Sequence, residues 1–190
     1  MTVKELIKKR RTIRKFENKP ISNTQLATYI EAARLCPSAA NLQPLKYAIV
    51  SDKENTDKVF SMLKWAGYLK GEYTPKEDEK PTAYIVICVD HNISKSNYDM
   101  DVGAAVENII LSALEDDVGA CWMASVERPK LKRMLSLPDN LEISCVVALG
   151  YPKENPTETV IENGDVKYFL QGDTLNVPKR SLEEIIIKSV

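Results

Sequence analysis

Residues 83–89, Ala-Tyr-Ile-Val-Ile-Cys-Val, form an unbroken apolar run rich in β-branched side chains. Successive side chains of a strand point to opposite faces, so a strand with no polar position on either face must be covered on both sides. A second run, 143–149 (Ile-Ser-Cys-Val-Val-Ala-Leu), makes nearly the same demand. The chain is long enough to supply the cover. With 190 residues, 44% of them apolar, it buries roughly 70% of the surface it would expose unfolded. One globular domain over 1–190 is expected, and disordered or fibrous states are excluded. No repeat or linker divides the chain.

Capping-box patterns mark two helix starts, Thr2-x-x-Glu5 and Ser22-x-x-Gln25. Each precedes an apolar stripe: Val3, Leu6 and Ile7, then Leu26, Ile30 and Ala33. The second helix must stop near Cys36, because Pro37 disfavours a helical residue before it. The pattern then predicts a strand over 47–50, a helix through Val59, Phe60 and Leu63 ending near Gly67, a short strand over 121–124 and a helix over 129–135. Residues 99–115 carry Val102, Val106, Ile109, Ile110 and Ala113 at helical spacing. Gly103, Ala104 and Ala105 add a small-residue patch that lets another backbone come close, so this helix is expected at the centre or at an interface.

Residues 70–81 are charged and hold two prolines, which predicts an exposed loop able to move over a site. Residues 151–180 are polar, are broken by Pro152, Pro156 and Pro178, and show no helical period until Ser181-x-x-Glu184 restarts one through Leu182, Ile185 and Ile186. So long a stretch without a packed element is unusual inside a small domain. A tail wrapping a partner subunit would account for it. By itself, the alternation of helices and strands favours a parallel, doubly wound sheet.

Charge and rare residues narrow the chemistry. Basic and acidic residues nearly cancel, 26 against 27, so the whole molecule carries no field that draws it to nucleic acid or an anionic membrane. The one histidine, His91, rules out multi-histidine metal sites. Cys36, Cys88, Cys121 and Cys145 form no Cys-x-x-Cys pair, and Cys88 and Cys145 lie inside apolar runs as small buried hydrophobes. The basic start lacks an apolar h-region, and no apolar run is long enough to span a bilayer. A cytoplasmic protein with reduced thiols is expected. There is no G-x-G-x-x-G, P-loop, G-x-S-x-G or H-E-x-x-H, so an enzyme built on this chain would draw its chemistry from a bound organic cofactor.

Three segments carry candidate chemistry. Lys8, Lys9, Arg10, Arg11, Arg14 and Lys15 form a basic cluster that fits a solvated helix end, a nucleic-acid patch without aromatic interleaving, or a phosphate clamp to which Thr12 adds a hydroxyl. The loop Pro37-Ser38-Ala39-Ala40-Asn41-Leu42-Gln43-Pro44 is either an ordinary polar turn or a binding loop, stiffened by proline at both ends with Ser38, Asn41 and Gln43 between. Val177-Pro178-Lys179-Arg180-Ser181 sets two cations before a helix start, as a basic turn or as an anion site if it meets the first cluster.

The chain resembles the FMN-dependent nitroreductase family. The likeness is carried by Arg10-Arg11-Thr12-Ile13-Arg14-Lys15-Phe16, Glu31-Ala32-Ala33-Arg34 leading into the 37–44 loop, and Asp101-Val102-Gly103-Ala104-Ala105-Val106-Glu107-Asn108. Val118-Gly119-Ala120-Cys121-Trp122, Gly150-Tyr151-Pro152 and the closing Val177-Pro178-Lys179-Arg180 complete it. The resemblance implies an α+β fold with a mostly antiparallel central sheet flanked by helices, in a homodimer whose C-terminal segments are exchanged. This overrides the parallel reading.

The resemblance further implies that Arg10 and Thr12, with Arg11, Lys179 and Arg180, hold the FMN phosphate. Arg14 would stand near flavin N1 and O2, where a cation favours the anionic reduced ring. Pro37, Ser38, Ala39, Asn41 and Gln43 would lie against the ring and ribityl chain, with 37–39 coming from the other subunit, and Ala124 and Ser125 would meet N5 and O4. The implied activity is ping-pong: NADH or NADPH passes hydride to flavin N5, and a nitroaromatic, quinone or enone then takes it, with no protein general base and no metal. Trp65 and Tyr68 are candidates for pocket walls or for core packing. Leu45 stands where many relatives carry an aromatic residue, and the family also includes members that dehalogenate, oxidise or break down flavin. The alternatives are therefore an oxidation or dehalogenation on the same fold and, from another class, nucleic-acid binding through the basic N-terminus.

Overall fold

The computed structural model describes residues 1–69 and 71–189. At its centre, β2 (Ala83–Asp90) is buried along the whole apolar run, and β4 (Leu141–Gly150) lies antiparallel beside it. β1 (Leu45–Val50) and β3 (Gly119–Met123) flank this pair, giving the order β1-β2-β4-β3 with every neighbouring pair antiparallel. The connections 51–82 and 124–140 return the chain to the end of the sheet it left, so their helices sit inside long hairpin connections. Only the link from β2 to β3 crosses over. Helix–strand alternation alone does not distinguish these two kinds of connection, and for that reason it points wrongly to a parallel sheet.

Alternate residues of β2 feed two cores. Ile85, Ile87 and Val89 face α2 (Asn23–Arg34) and α4 (Asp99–Glu115), meeting Leu26, Tyr29, Val102, Val106 and Ile109. Tyr84, Val86 and Cys88 face the other layer, where α3 (Lys53–Ser61) and α5 (Arg128–Met134) contribute Val59 and Leu131. Each such fully buried side chain stabilises the fold by about 1.5–3 kcal/mol relative to leaving it exposed. Tyr29 Oη donates to Asp116 at 2.9 Å and Asn108 Nδ2 to the Ala32 carbonyl at 2.9 Å, tying α2 to α4.

The first helix, α1 (Val3–Lys9), has the full capping box from Thr2 and Glu5. Beyond it the chain runs extended along the free edge of β3: Thr12 bridges Ala120, Ile13 N–H donates to the Ala120 carbonyl at 2.9 Å, and Phe16 bridges Pro152. Ile13 and Phe16 are buried, and both seat against glycine. A Cβ at Gly119 would lie 2.7 Å from Ile13, and one at Gly150 would lie 2.7 Å from the Phe16 ring.

Several boundaries differ from the sequence expectations. α3 ends at Ser61, well before Gly67, because the next residues are drawn into pairing with 125–126: Leu63 bridges Val126 and Lys64 N–H donates to the Ser125 carbonyl at 3.1 Å. Lys70, the first residue of the expected exposed loop, lies outside the described residues. Residues 71–81 are not a free loop, since Tyr73, Pro75, Glu79 and Pro81 are buried and the Glu79 carbonyl accepts from Phe16 N–H at 2.9 Å.

The polar tail also contains a packed element. β5 (Thr157–Val160), β7 (Thr174–Lys179) and β6 (Phe169–Gln171) form a small sheet in that order, with Leu175 and Asn176 buried. Its strands are three to six residues long and mostly exposed on both faces, so no alternating pattern announces them. A single turn, α6 (Leu182–Ile185), follows. Among the described residues no helix is long and apolar enough to cross a membrane.

The close approach of Phe16 to Gly150 gives a direct test. Gly150→Ala must displace the ring and should cost about 1–3 kcal/mol. Urea unfolding measures it, and an unchanged midpoint would mean that the N-terminal segment does not pack there.

Candidate functional site

The basic cluster begins where α1 ends. Arg10 is the C-cap of that helix, and from Arg11 the backbone is committed to the edge of β3, so the cations are spread along an extended segment. That segment gathers carboxylates. Lys9 pairs with Asp117 at 2.9 Å, Arg10 Nε lies 3.8 Å from Glu107 on α4, and Arg11 pairs with Glu158 on β5. The Glu154 carboxylate accepts from the backbone N–H groups of Arg14 and Lys15 and from the Tyr73 hydroxyl. Burial and the bond to Glu154 push the Tyr73 phenol far above its ordinary range. The Arg14 guanidinium lies over the Tyr168 ring, 4.6 Å from its centroid.

The 37–44 loop forms a second patch. Its middle is a short 3₁₀ turn, Ala39–Asn41, in which Ala40 and Asn41, followed by Gln43, take left-handed φ of 49°, 55° and 52°. Residues with a Cβ adopt that region only when their surroundings impose it. Asp101 in the first turn of α4, 4% exposed, accepts from Ser38 Oγ at 2.5 Å and from Ala39 N–H at 3.0 Å. Pro37, Asn41 and Gln43 are exposed, and Gln43 Nε2 donates to Asn41 Oδ1 at 3.1 Å. Ser38, Gln43 and Asp101 line a cleft of about 200 Å³ together with Cys36, Leu45 and Tyr47.

Ala124 and Ser125 form a third patch. They are exposed just past the end of β3, beside Met62 and Lys64. Among the described residues no hydrogen bond or ion pair joins the three patches within one chain. Lys179 lies on β7 opposite Val160, two residues along from the Glu158 that holds Arg11, whereas Arg180 pairs with Glu184 in its own turn. The two ends of the expected clamp are thus brought to one small sheet, without a direct contact between Lys179 or Arg180 and the N-terminal cations. Trp65 is a core residue stacked on Phe60 at 5.4 Å, and exposed Tyr68 packs on Tyr168 at 5.0 Å.

Sequence reasoning gives no role to Glu154, Glu158, Tyr168 or Asp101. The first three lie far along the chain from the N-terminal cations they meet and have no motif to mark them. Asp101 opens the 101–108 segment, and a carboxylate three residues into an apolar helix is the signal that marks it.

Burial pushes the thiols of Cys88 and Cys121 up to about 11 and raises that of Cys145, while Cys36, half-buried in the cleft, is raised by burial and the nearby Asp101. A thiol at 11 is thiolate in roughly one molecule per thousand at pH 8. Iodoacetamide at pH 8 should therefore label Cys36 first, and the other three only after unfolding; mass spectrometry of the labelled peptides would expose any departure from that order.

The family model described as the nitroreductase family matches residues 7–151. A relative from Archaeoglobus fulgidus, provisionally named an NADH dehydrogenase/NAD(P)H nitroreductase, is 34% identical over 157 residues, 79% of this chain and 85% of its own length. A nitroreductase family protein from Clostridium novyi has a crystal structure that is 29% identical, with a TM-score of 0.69, over 80% of this chain and 86% of that one. A crystal structure from Desulfovibrio desulfuricans, provisionally named a nitroreductase and solved in complex with FMN, covers all of this chain and 98% of its own, with a TM-score of 0.74 at 21% identity.

Proposed function

The chain belongs to the nitroreductase family, and on that footing we propose that its 190 residues act as one FMN-binding domain of an NAD(P)H-dependent oxidoreductase of small electron-poor acceptors. The observation that carries the reading is the segment 10–15. It collects three carboxylates, Glu107, Glu158 and Glu154, on guanidinium and backbone donors. A phosphate asks for the same donors with more charge. The long 3.8 Å approach to Glu107 leaves Arg10 with donors to spare. The residues present fit the group.

In this reading Arg10, Arg11 and Thr12, with Lys179 and Arg180, hold the phosphate, and Arg14 stands beside the pyrimidine edge of the ring. Pro37, Ser38, Ala39, Asn41 and Gln43 belong to the loop that faces the ring and ribityl chain, and Ala124 and Ser125 offer backbone groups to the reactive edge. Bound FMN would supply hydride chemistry, accepting from NADH or NADPH and giving to a nitroaromatic, quinone or enone in alternation. The protein's part is to orient the ring, to stabilise negative charge on it with the fixed Arg14 cation, and to leave one face open to two small molecules in turn. No side chain need act as general acid or base.

A homodimer belongs to the proposal. Among the described residues the three patches share no hydrogen bond or ion pair, and a second copy contributing the 37–39 segment would bring it to the same ligand. Unpartnered apolar surface supports this: Leu182, Ile185, Ile186 and Ile187 are exposed after β7, and a Cβ at Gly103 on α4 would meet nothing within 4 Å. Exchange of the C-terminal segments would cover the isoleucines. The four free cysteines suit a reducing, cytoplasmic setting. Carboxylates interleaved with Lys9, Arg10 and Arg11 favour a small anion over nucleic acid as the ligand of the cluster.

The purified protein should be yellow, or become so with added FMN, and should bleach anaerobically with NADH or NADPH; a chain that stays colourless overturns the reading. Uptake of FMN without bleaching by either nucleotide would move it to an oxidation or dehalogenation on the same fold. Arg10→Ala removes a charge-assisted bond of about 1.5–3 kcal/mol and should weaken FMN binding by about tenfold or more. Titration by flavin fluorescence quenching measures this, and unchanged affinity would remove Arg10 from the phosphate site.

A further inference from the structure

Asp101 is a buried carboxylate with no lysine or arginine paired to it among the described residues. Its charge is met by the Ser38 hydroxyl, the Ala39 N–H and the N-terminal turn of α4. A carboxylate in its ionised form only accepts hydrogen bonds, so the Ser38 proton is directed at Asp101. The same Ser38 oxygen accepts from Gln43 N–H at 2.9 Å, five residues on. A relay, Asp101 to Ser38 to Gln43, thus closes around the very residues with left-handed backbone, Ala40, Asn41 and Gln43. Within the turn, Asn41 N–H reaches the Ser38 carbonyl at 2.9 Å, and Leu42 N–H reaches that of Ala39 at 3.1 Å. These two short-range bonds would form in many turns and do not select the left-handed state. The relay through Ser38 spans it from end to end.

We propose that Asp101 is the positioning residue that holds the 38–43 loop in its left-handed conformation, acting through Ser38, and that Ser38 works on the loop instead of donating to a ligand. The hydroxyl has one proton, and it is donated in the hydrogen bond to Asp101. This revises the direct flavin contact that the family resemblance implies for Ser38. The groups the loop presents outward are the exposed side chains of Asn41 and Gln43. The consequence for ligand binding rests on the flavin reading above; the consequence for the loop does not.

The test uses the full chain, with and without FMN, and four variants: Asp101→Asn, Ser38→Ala, the double variant and Ser38→Thr. Asparagine turns one of the two acceptor oxygens into a donor facing a donor, and alanine removes the relay. Threonine keeps the hydroxyl, and its β-branched side chain suits the extended backbone at Ser38 (φ −133°, ψ 142°). Without FMN, hydrogen exchange at Ala39 and Gln43 should speed up at least tenfold in Asp101→Asn and in Ser38→Ala, while β2 amides keep their protection and Ser38→Thr behaves as the parent. FMN affinity should fall by a similar factor in each single variant and no further in the double one.

Unchanged exchange in Asp101→Asn overturns the proposal. So does a Ser38→Ala variant that loses FMN affinity with its loop exchange intact, because Ser38 is then a direct ligand. Full additivity in the double variant overturns it as well. If Asp101→Asn does not fold, Ser38→Ala, which alters only a half-buried loop side chain, carries the test. If the exchange pattern holds in a protein that takes up no FMN, the flavin reading fails and the loop clamp stands.

Discussion

The enclosure of β2 on both faces sets the terms for everything around it. Every side chain from Ala83 to Val89 is buried, so the sheet has to be sandwiched. The helices that do this become the scaffold of the candidate site: α2 delivers the 37–44 loop from its C-terminal end, and α4 presents Asp101 to that loop and Glu107 to Arg10. α2 and α4 pack side by side on the same face of β2, and this shared layer sets the loop and its buried carboxylate against each other.

The edge of the sheet imposes a second constraint. An exposed strand edge invites pairing with other chains, and here residues 11–16 cover β3, anchored by Ile13 and Phe16 against Gly119 and Gly150. The cations interspersed with those anchors are therefore held by core packing. The same six residues pack the edge of the sheet and carry cations of the basic cluster, so changes at the two glycines are expected to loosen the cluster along with the fold.

Much of the architecture was legible. The capping boxes at Thr2 and Ser22, the bounds of the 99–115 helix and the two buried strands follow from local patterns that the structure keeps, since each depends on contacts within a few residues. Legibility fails where distant pairing takes over. Leu63 leaves its helix to bridge Val126, Tyr73 and Glu79 pin a segment that looks like an exposed loop, and a polar tail pairs into three short strands. The parallel sheet suggested by alternation fails for a related reason, because strand direction depends on where each connection returns.

For the site, the residue types and their grouping were present in the chain alone. The cluster 8–15, the amide-rich loop between two prolines and the single histidine mark where the proposed anion recognition and bound group would act. What only the tertiary structure decided is which of these residues are free to act. Folding sets carboxylates from positions 107, 154 and 158 among the cations, and commits the Ser38 proton to Asp101 across 63 positions. Residue identity determines what a side chain can bond to; the competition for its donors and acceptors is settled by neighbours that only the folded chain assembles.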